Sequence, residues 1–255
     1  MLKSIQTVAQ ITYKEIIRER LLLGILLVAV LLTSASFFMA TISLDQDARV
    51  LQDTGTAAIH IFAFFITVFV ATNSMSKDLD RRALYLLLPK PISRGQYILG
   101  KYAGLLALLA TTLAILGGLF IIGLFFLNRA LIPGTLVDLA YSFLEIGLML
   151  AFAILFATFT APLNAALYTT ALFIIGHSLV TIREYAVRQG IVVVQHLISV
   201  CYYILPNLDK FDVRRAVLYG LYPNHQSVLW SIIYGVIYTS LVLWLSILVI
   251  RKREV

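Results

Sequence analysis

The sequence predicts an all-α polytopic membrane protein, and three observations carry that expectation. The 255-residue chain is 60% hydrophobic and only 13% charged, against about 45–50% and about 25% in soluble domains. Five uncharged runs, 21–43, 54–76, 102–128, 146–182 and 226–250, each reach the roughly 20 residues a helix needs to cross a bilayer. The basic residues gather at the ends of those runs, as the positive-inside rule requires, so a net charge of +7 does not point to nucleic acid. A single cysteine, Cys201, excludes an internal disulfide framework and a cysteine-cluster metal site.

Residues 2–18 read as an amphipathic helix lying along the membrane interface. Leu2, Ile5, Val8, Ala9, Thr12 and Ile16 follow helical spacing, while Lys3, Gln6, Gln10 and Lys14 face away. Residues 21–32 followed by Ser34 and Ser36 resemble a signal peptide, but the apolar run continues through Ala40 and twenty residues precede it. An uncleaved first span fits better.

The run 146–182 is too long for one crossing and is broken at Pro162, which removes a backbone donor and clashes with the preceding turn. Six spans result, at about 21–42, 57–75, 102–127, 139–161, 165–182 and 228–250. The chain thus divides into an interfacial helix, 1–20, and a six-span membrane domain, 21–255. Six crossings put both termini on one side, with 13 basic and five acidic residues there against seven and seven on the other. That asymmetry makes the termini cytoplasmic. Residues 190–205 (GIVVVQHLISVCYYIL) are too short and polar for a seventh span and read as an outer re-entrant or interfacial segment. The outer segment 183–226 then carries short helices and a turn at Leu205–Asp209.

Between the second and third spans lies SKDLDRRALYLLLPKPISRGQYILGKYAG, with six basic residues, two aspartates and a Pro-Lys-Pro. Residues 95–101, GQYILGK, fit the start of a phosphate-binding loop. Tyr102 stands where Ser or Thr must hold magnesium, and no buried strand precedes it, so the match is a coincidence. Spacing instead predicts an elbow in the coupling segment 76–101. Ser76 caps a short helix, Pro89 and Pro91 stop it, and Ser93 caps the next helix into the third span. Leu79, Ala83, Leu86 and Leu87 lie along one face, away from Asp78, Arg81 and Arg82. A loop lying on anionic lipid fits the same spacing.

Three stretches resemble type-2 ABC exporter permeases: Leu86-Leu87-Leu88-Pro89-Lys90-Pro91-Ile92-Ser93-Arg94 with Gly100-Lys101, the N-terminal Tyr13-Lys14-Glu15-Ile16-Ile17-Arg18-Glu19-Arg20, and the outer Leu205-Pro206-Asn207-Leu208-Asp209. The last is similar to multicopper-enzyme-maturation permeases, including that of the nitrous-oxide-reductase copper-maturation system. The chain departs from many relatives in carrying Asp80-Arg81-Arg82-Ala83 where they have Glu and a Gly-Thr pair.

The resemblance implies a coupling helix (Leu79, Arg81, Arg82, Leu86, Leu87, Pro89, Pro91, Ser93, Arg94) docked on a separate ABC ATPase, and a connecting helix with Tyr13, Lys14 and Arg18 against the same subunit. It implies two ATPase copies holding ATP and Mg, a second copy of the permease, and a multi-pass place in a bacterial inner membrane. The chain itself would bind no cofactor and catalyse nothing.

Glu145 is the one acid inside a predicted span, six residues in, about 9 Å below the outer boundary at 1.5 Å per residue. It reads as a gate residue or as a carboxylate reaching interfacial water or an outer arginine such as Arg129. His60, His177, His196 and His225 look scattered, and Met39, Met75 and Met149 form no cluster, so no metal conduit is expected. Gly100/Gly104 and Gly147/Ala151 are small pairs that permit close helix packing. Asp209, Lys210, Asp212, Arg214 and Arg215 form a candidate docking surface for a periplasmic partner, as in a force-transmitting scaffold without transport. A lipid-modifying enzyme would need clustered carboxylates or histidines at a membrane face, and no such cluster is visible in the sequence.

Overall fold

The computed structural model describes residues 2–18, 30–31, 47–80, 93–126, 134–189, 202 and 205–252. Among them the chain is helical without strands: α1 (Leu2–Ile17), α2 (Asp47–Asp80), α3 (Arg94–Phe126), α4 (Gly134–Ala157), α5 (Pro162–Arg188), a 3₁₀ turn (Leu208–Lys210), α6 (Arg214–Leu218) and α7 (His225–Lys252). Five of these helices, α2 to α5 and α7, are long and apolar enough to cross a membrane. The predicted first span, 21–42, lies outside the described residues except Val30 and Leu31, and the predicted re-entrant segment 190–205 does so except Tyr202 and Leu205.

Helix α4 is the centre of the bundle and packs against α2, α3, α5, α6 and α7. The Thr135 hydroxyl donates to Gln52 Oε1 at 2.6 Å, and two turns further on His60 Nδ1 lies 2.9 Å from Ser142 Oγ. Both pairs advance together along the chain, so α2 and α4 run in the same direction. Helix α3 runs against α2, with Tyr97 beside Met75 near one end and Phe120 beside Gly55 near the other. The bundle therefore has an α1 end, where α3 and α5 begin, and a distal end, where α2, α4 and α7 begin.

The break expected at Pro162 is present. Helix α4 ends at Ala157, Thr158 and Thr160 donate to the carbonyls of Leu155 and Phe156, and Pro162 starts α5 at a position where its missing donor costs nothing. Helix α1 shows the predicted faces: Thr12 and Ile16 are buried, whereas Lys3, Gln6, Gln10 and Lys14 are exposed. Its apolar face lies on α3. A Cβ on Gly100 would sit 2.6 Å from Val8 Cβ, and one on Gly104 would sit 2.7 Å from the Ala9 carbonyl oxygen. Only hydrogen at these two positions allows that approach.

Two expectations about local structure are corrected. Ser76 caps nothing: it is buried within α2, which continues without a break to Asp80. The extension persists because Asp78, on its last turn, is held by α3. The helix at the expected fourth span begins at Gly134 rather than 139, because Thr135 and Asp138 are polar yet buried against protein, a distinction hydropathy does not make.

Candidate functional sites at the two ends of the bundle

At the α1 end, Asp78 of α2 meets the first turns of α3, on which α1 and the end of α7 also pack. Asp78 Oδ2 accepts from Lys101 Nζ at 2.6 Å and from the Tyr97 hydroxyl at 2.6 Å, joining α2 to α3. Lys101 is 1% exposed, so its charge is held in place by that partner alone among the described residues. The phosphate-loop look-alike is thus a helical segment whose lysine is already paired. Ser93 and Gln96 form a reciprocal capping box at the start of α3: Gln96 N donates to Ser93 Oγ at 3.3 Å and Ser93 N donates to Gln96 Oε1 at 3.1 Å. Arg94 Nη1 donates to the carbonyls of Ile250 (2.7 Å) and Arg251 (3.0 Å), satisfying the open end of α7 and placing a cation at the negative pole of its dipole.

The other residues expected to couple divide in two. Arg81, Arg82, Leu86, Leu87, Pro89 and Pro91 lie outside the described residues, as does the side chain of Leu79. Lys14 on α1 and Arg18 just after it are exposed, and Tyr13 packs partly against the core.

Toward the distal end, two of the four histidines that look scattered in the sequence come together. His60 from α2 and His177 from α5 converge on Glu145 of α4. His60 Nε2 stands 3.7 Å from Glu145 Oε2 and His177 Nε2 stands 3.2 Å from Glu145 Oε1. Glu145 is 2% exposed and lies eleven residues after Gly134, about 16 Å along the helix from its start. Among the described residues, the two imidazoles are the groups within ion-pair distance of its carboxylate. Arg129 lies outside the described residues.

A cavity of about 190 Å³ opens on this cluster: His60, Glu145 and His177 line it together with Asp138, Ser142, Asp212 and Arg214, with Phe173 and Phe211 as its apolar walls. Arg214 turns inward, its Nε 3.8 Å from Asp138 Oδ2. The larger concavity beside the last turns of α5, about 360 Å³ and lined by Arg183, Glu184 and Tyr202, is a surface groove with Glu184 largely exposed.

The distal segment closes over the bundle. Leu208 is buried against Gly176, where a Cβ would sit 2.7 Å from Leu208 Cγ. Asn207 N donates to the Tyr234 hydroxyl, and Asn207 Oδ1 accepts from Asp209 N. Lys210 lies over the Tyr234 ring at 4.0 Å. Of the charges expected to face a partner, Lys210 and Asp212 are exposed, Asp209 and Arg214 are half-buried, and the Arg215 side chain lies outside the described residues. Burial pushes the Asp209 carboxyl above its ordinary range, His177 opposes that shift, and Asp212 adds to it.

The cluster had a signal in the sequence. Asp138, Ser142 and Glu145 stand at helical spacing on one face of a long apolar helix, as do Gln52, Thr56 and His60 on another. Polar residues repeating on one face of a span mark the side that meets protein.

The sequence profile of the ABC-2 family transporter protein matches residues 6–196. The chain belongs to the ABC-2 transporter family. It is therefore a permease, the membrane component of an ABC transporter, and its membership implies an ABC ATPase partner. No curated protein matches the chain in sequence.

Proposed function

We propose that the chain couples ATP hydrolysis on a separate ABC ATPase to a conformational change across the membrane, with residues 76–101 as the coupling segment and α1 as the connecting helix. ATP and Mg would be held by the ATPase and not by this chain. The observation that carries the reading is the node at the α1 end. Residues 81–92 are flanked by Asp80 and Ser93, and the helices on either side are tied by the Asp78–Lys101–Tyr97 bonds. Arg94 ties the same point to α7, and Gly100 and Gly104 seat α1 there. A push on the segment therefore reaches α1, α2, α3 and α7 together, and through α2, α3 and α7 it reaches the central α4.

The six-span topology with both termini cytoplasmic, in a bacterial inner membrane, is part of this proposal. Helix α1 packs near Gly100, whereas Gly55, near the start of α2, meets Phe120. These sites are twenty residues apart on α3, about 30 Å, which is the thickness of a bilayer core. A second copy of the permease and a second ATPase would complete the transporter. The exposed side of α7, with Trp230, Val236, Ile237, Leu241 and Trp244, is an apolar face suited to lipid or to that second copy.

A force-transmitting role without transport is the second reading. It is favoured by the exposed charges of Lys210 and Asp212 on the well-tethered distal segment, which suit a periplasmic partner. A subgroup role in copper-enzyme maturation rests on Leu205–Asp209 alone.

The test is Leu86→Asp with Leu87→Asp in the tagged chain, solubilised gently with its ATPase. The double variant is expected to insert normally and lose the ATPase from the purified complex. Copurification at wild-type stoichiometry would refute the coupling assignment.

A further inference from the structure

His177 Nδ1 lies 3.3 Å from the carbonyl oxygen of Phe173, one turn earlier on α5. A carbonyl oxygen only accepts, so this contact is a hydrogen bond when the proton sits on Nδ1. The other ring nitrogen, Nε2, then faces Glu145 Oε1 at 3.2 Å. A neutral imidazole with its proton on Nδ1 presents a lone pair there. A carboxylate opposite would repel it; Glu145 is 2% exposed, while the His177 side chain is 28% exposed and both residues line the cavity. One further proton on the pair relieves that repulsion, either as imidazolium beside carboxylate or as neutral imidazole beside carboxylic acid. The two arrangements carry the same net charge.

We propose that His177 and Glu145 form a proton-binding site shared across the α4–α5 interface, filled from the distal end through the cavity, and that its occupancy holds α5 against α2 and α4. With the proton bound, the pair is neutral overall and closes the interface. Proton loss leaves a buried carboxylate facing a lone pair, and the least costly relief is separation of α5 from α4 so that water enters. The reaction is reversible proton uptake by one imidazole–carboxylate pair, with no change of oxidation state.

The surrounding groups fit a route for that proton. From α2, His60 faces the second oxygen of Glu145, and its own Nδ1 lies 2.9 Å from Ser142 Oγ. From α4, Asp138 lies two turns nearer the distal end, in contact with Arg214 of α6. Asp212 lines the same cavity, and Asp209 stands on the adjoining 3₁₀ turn. On α3, the Tyr102 hydroxyl is engaged with the Gly147 carbonyl, and on α7 the Tyr234 hydroxyl is engaged with Asn207. Glu145 Oε1 and His60 Nε2 make no hydrogen bond that satisfies geometric limits, and Asp138 Oδ2 and Arg214 Nε make none either. Such a set of loosely satisfied buried groups is uncommon in a packed interior and suits exchange of a proton along it. Two imidazoles and a carboxylate are also metal-ligand types, but among the described residues no three such groups are placed to hold a metal ion.

The site makes a prediction independent of the ATPase reading, so the permease alone in lipid nanodiscs is the sample. ¹⁵N-histidine NMR, with His177 assigned by its loss in His177→Gln, reads the tautomer directly. Nδ1 is expected to stay protonated across the titration. A neutral His177 with its proton on Nε2 and a bare Nδ1 would overturn the proposal without reference to any variant. Hydrogen exchange of α5, corrected for intrinsic rates, is expected to show about a ten-fold loss of protection in a single-proton step as pH rises. Glu145→Gln and His177→Gln are expected to abolish that step while α1 and α3 stay protected. A step retained in both variants, or one removed by a chelator, would reject the proton site.

Discussion

Asp78 and Lys101 show how differently two partners in one ion pair bear on stability. Lys101 is 1% exposed, whereas the Asp78 side chain is 19% exposed and also holds the Tyr97 hydroxyl. Removing the anion leaves a cation buried without a counter-charge, at a cost of about 3–5 kcal/mol. Removing the cation leaves a carboxylate that still has a hydrogen bond and access to water, so the loss is about 1 kcal/mol or less. Asp78→Asn is therefore expected to destabilise the protein far more than Lys101→Met, as measured by temperature-dependent aggregation in detergent. Equal losses would mean that the pair does not carry the α2–α3 junction. The pair shows the limit of reading charge as surface: both residues count toward the basic-rich end in the sequence, and their position inside it follows only from helix α2 continuing past Ser76.

At the scale of elements, α1 depends on two glycines of α3. A leucine at residue 104 would place its Cβ 2.7 Å from the Ala9 carbonyl oxygen and 2.9 Å from Thr12 Cβ, so the backbone of α1 would have to move. Gly104→Leu is expected to cost about 1–3 kcal/mol, concentrated in α1, and to raise its hydrogen exchange and weaken ATPase retention together. Gly118→Leu is the control on the same helix, since a Cβ there meets nothing within 4 Å. If both variants exchange alike, α1 is not held by this contact. The elements themselves were legible in the sequence: the faces of α1 followed from period 3.6, the break at Pro162 from its missing donor, and the start of α3 from Ser93. The cluster around Glu145 was not read, because its members come from three helices separated by 85 and 32 residues along the chain. Nothing local in a sequence fixes which polar stripes face one another. Hydropathy failed at Thr135 and Asp138 for a related reason, since it equates polar with exposed.

For the whole molecule, the decisive quantity is which side of the membrane each end of the bundle occupies. Gln10 on α1 and Asp53 near the start of α2 are both exposed, and they belong to opposite ends. In a Cys201→Ser background, Gln10→Cys and Asp53→Cys report those ends to a membrane-impermeant maleimide. The excess of basic residues near α1 predicts that residue 53 reacts in intact cells and residue 10 only after permeabilisation. The reverse pattern would keep the crossing and invert the orientation, putting the coupling node out of reach of a cytoplasmic ATPase. Reaction of both from one side would mean that the chain between α1 and α2 does not cross the membrane, leaving an odd number of spans. Residue 252 would then lie across the membrane from α1. That cannot be reconciled with Arg94 holding the carbonyls of Ile250 and Arg251 beside the helix on which α1 rests. Orientation, crossing number and the coupling node therefore stand or fall on one labelling pattern.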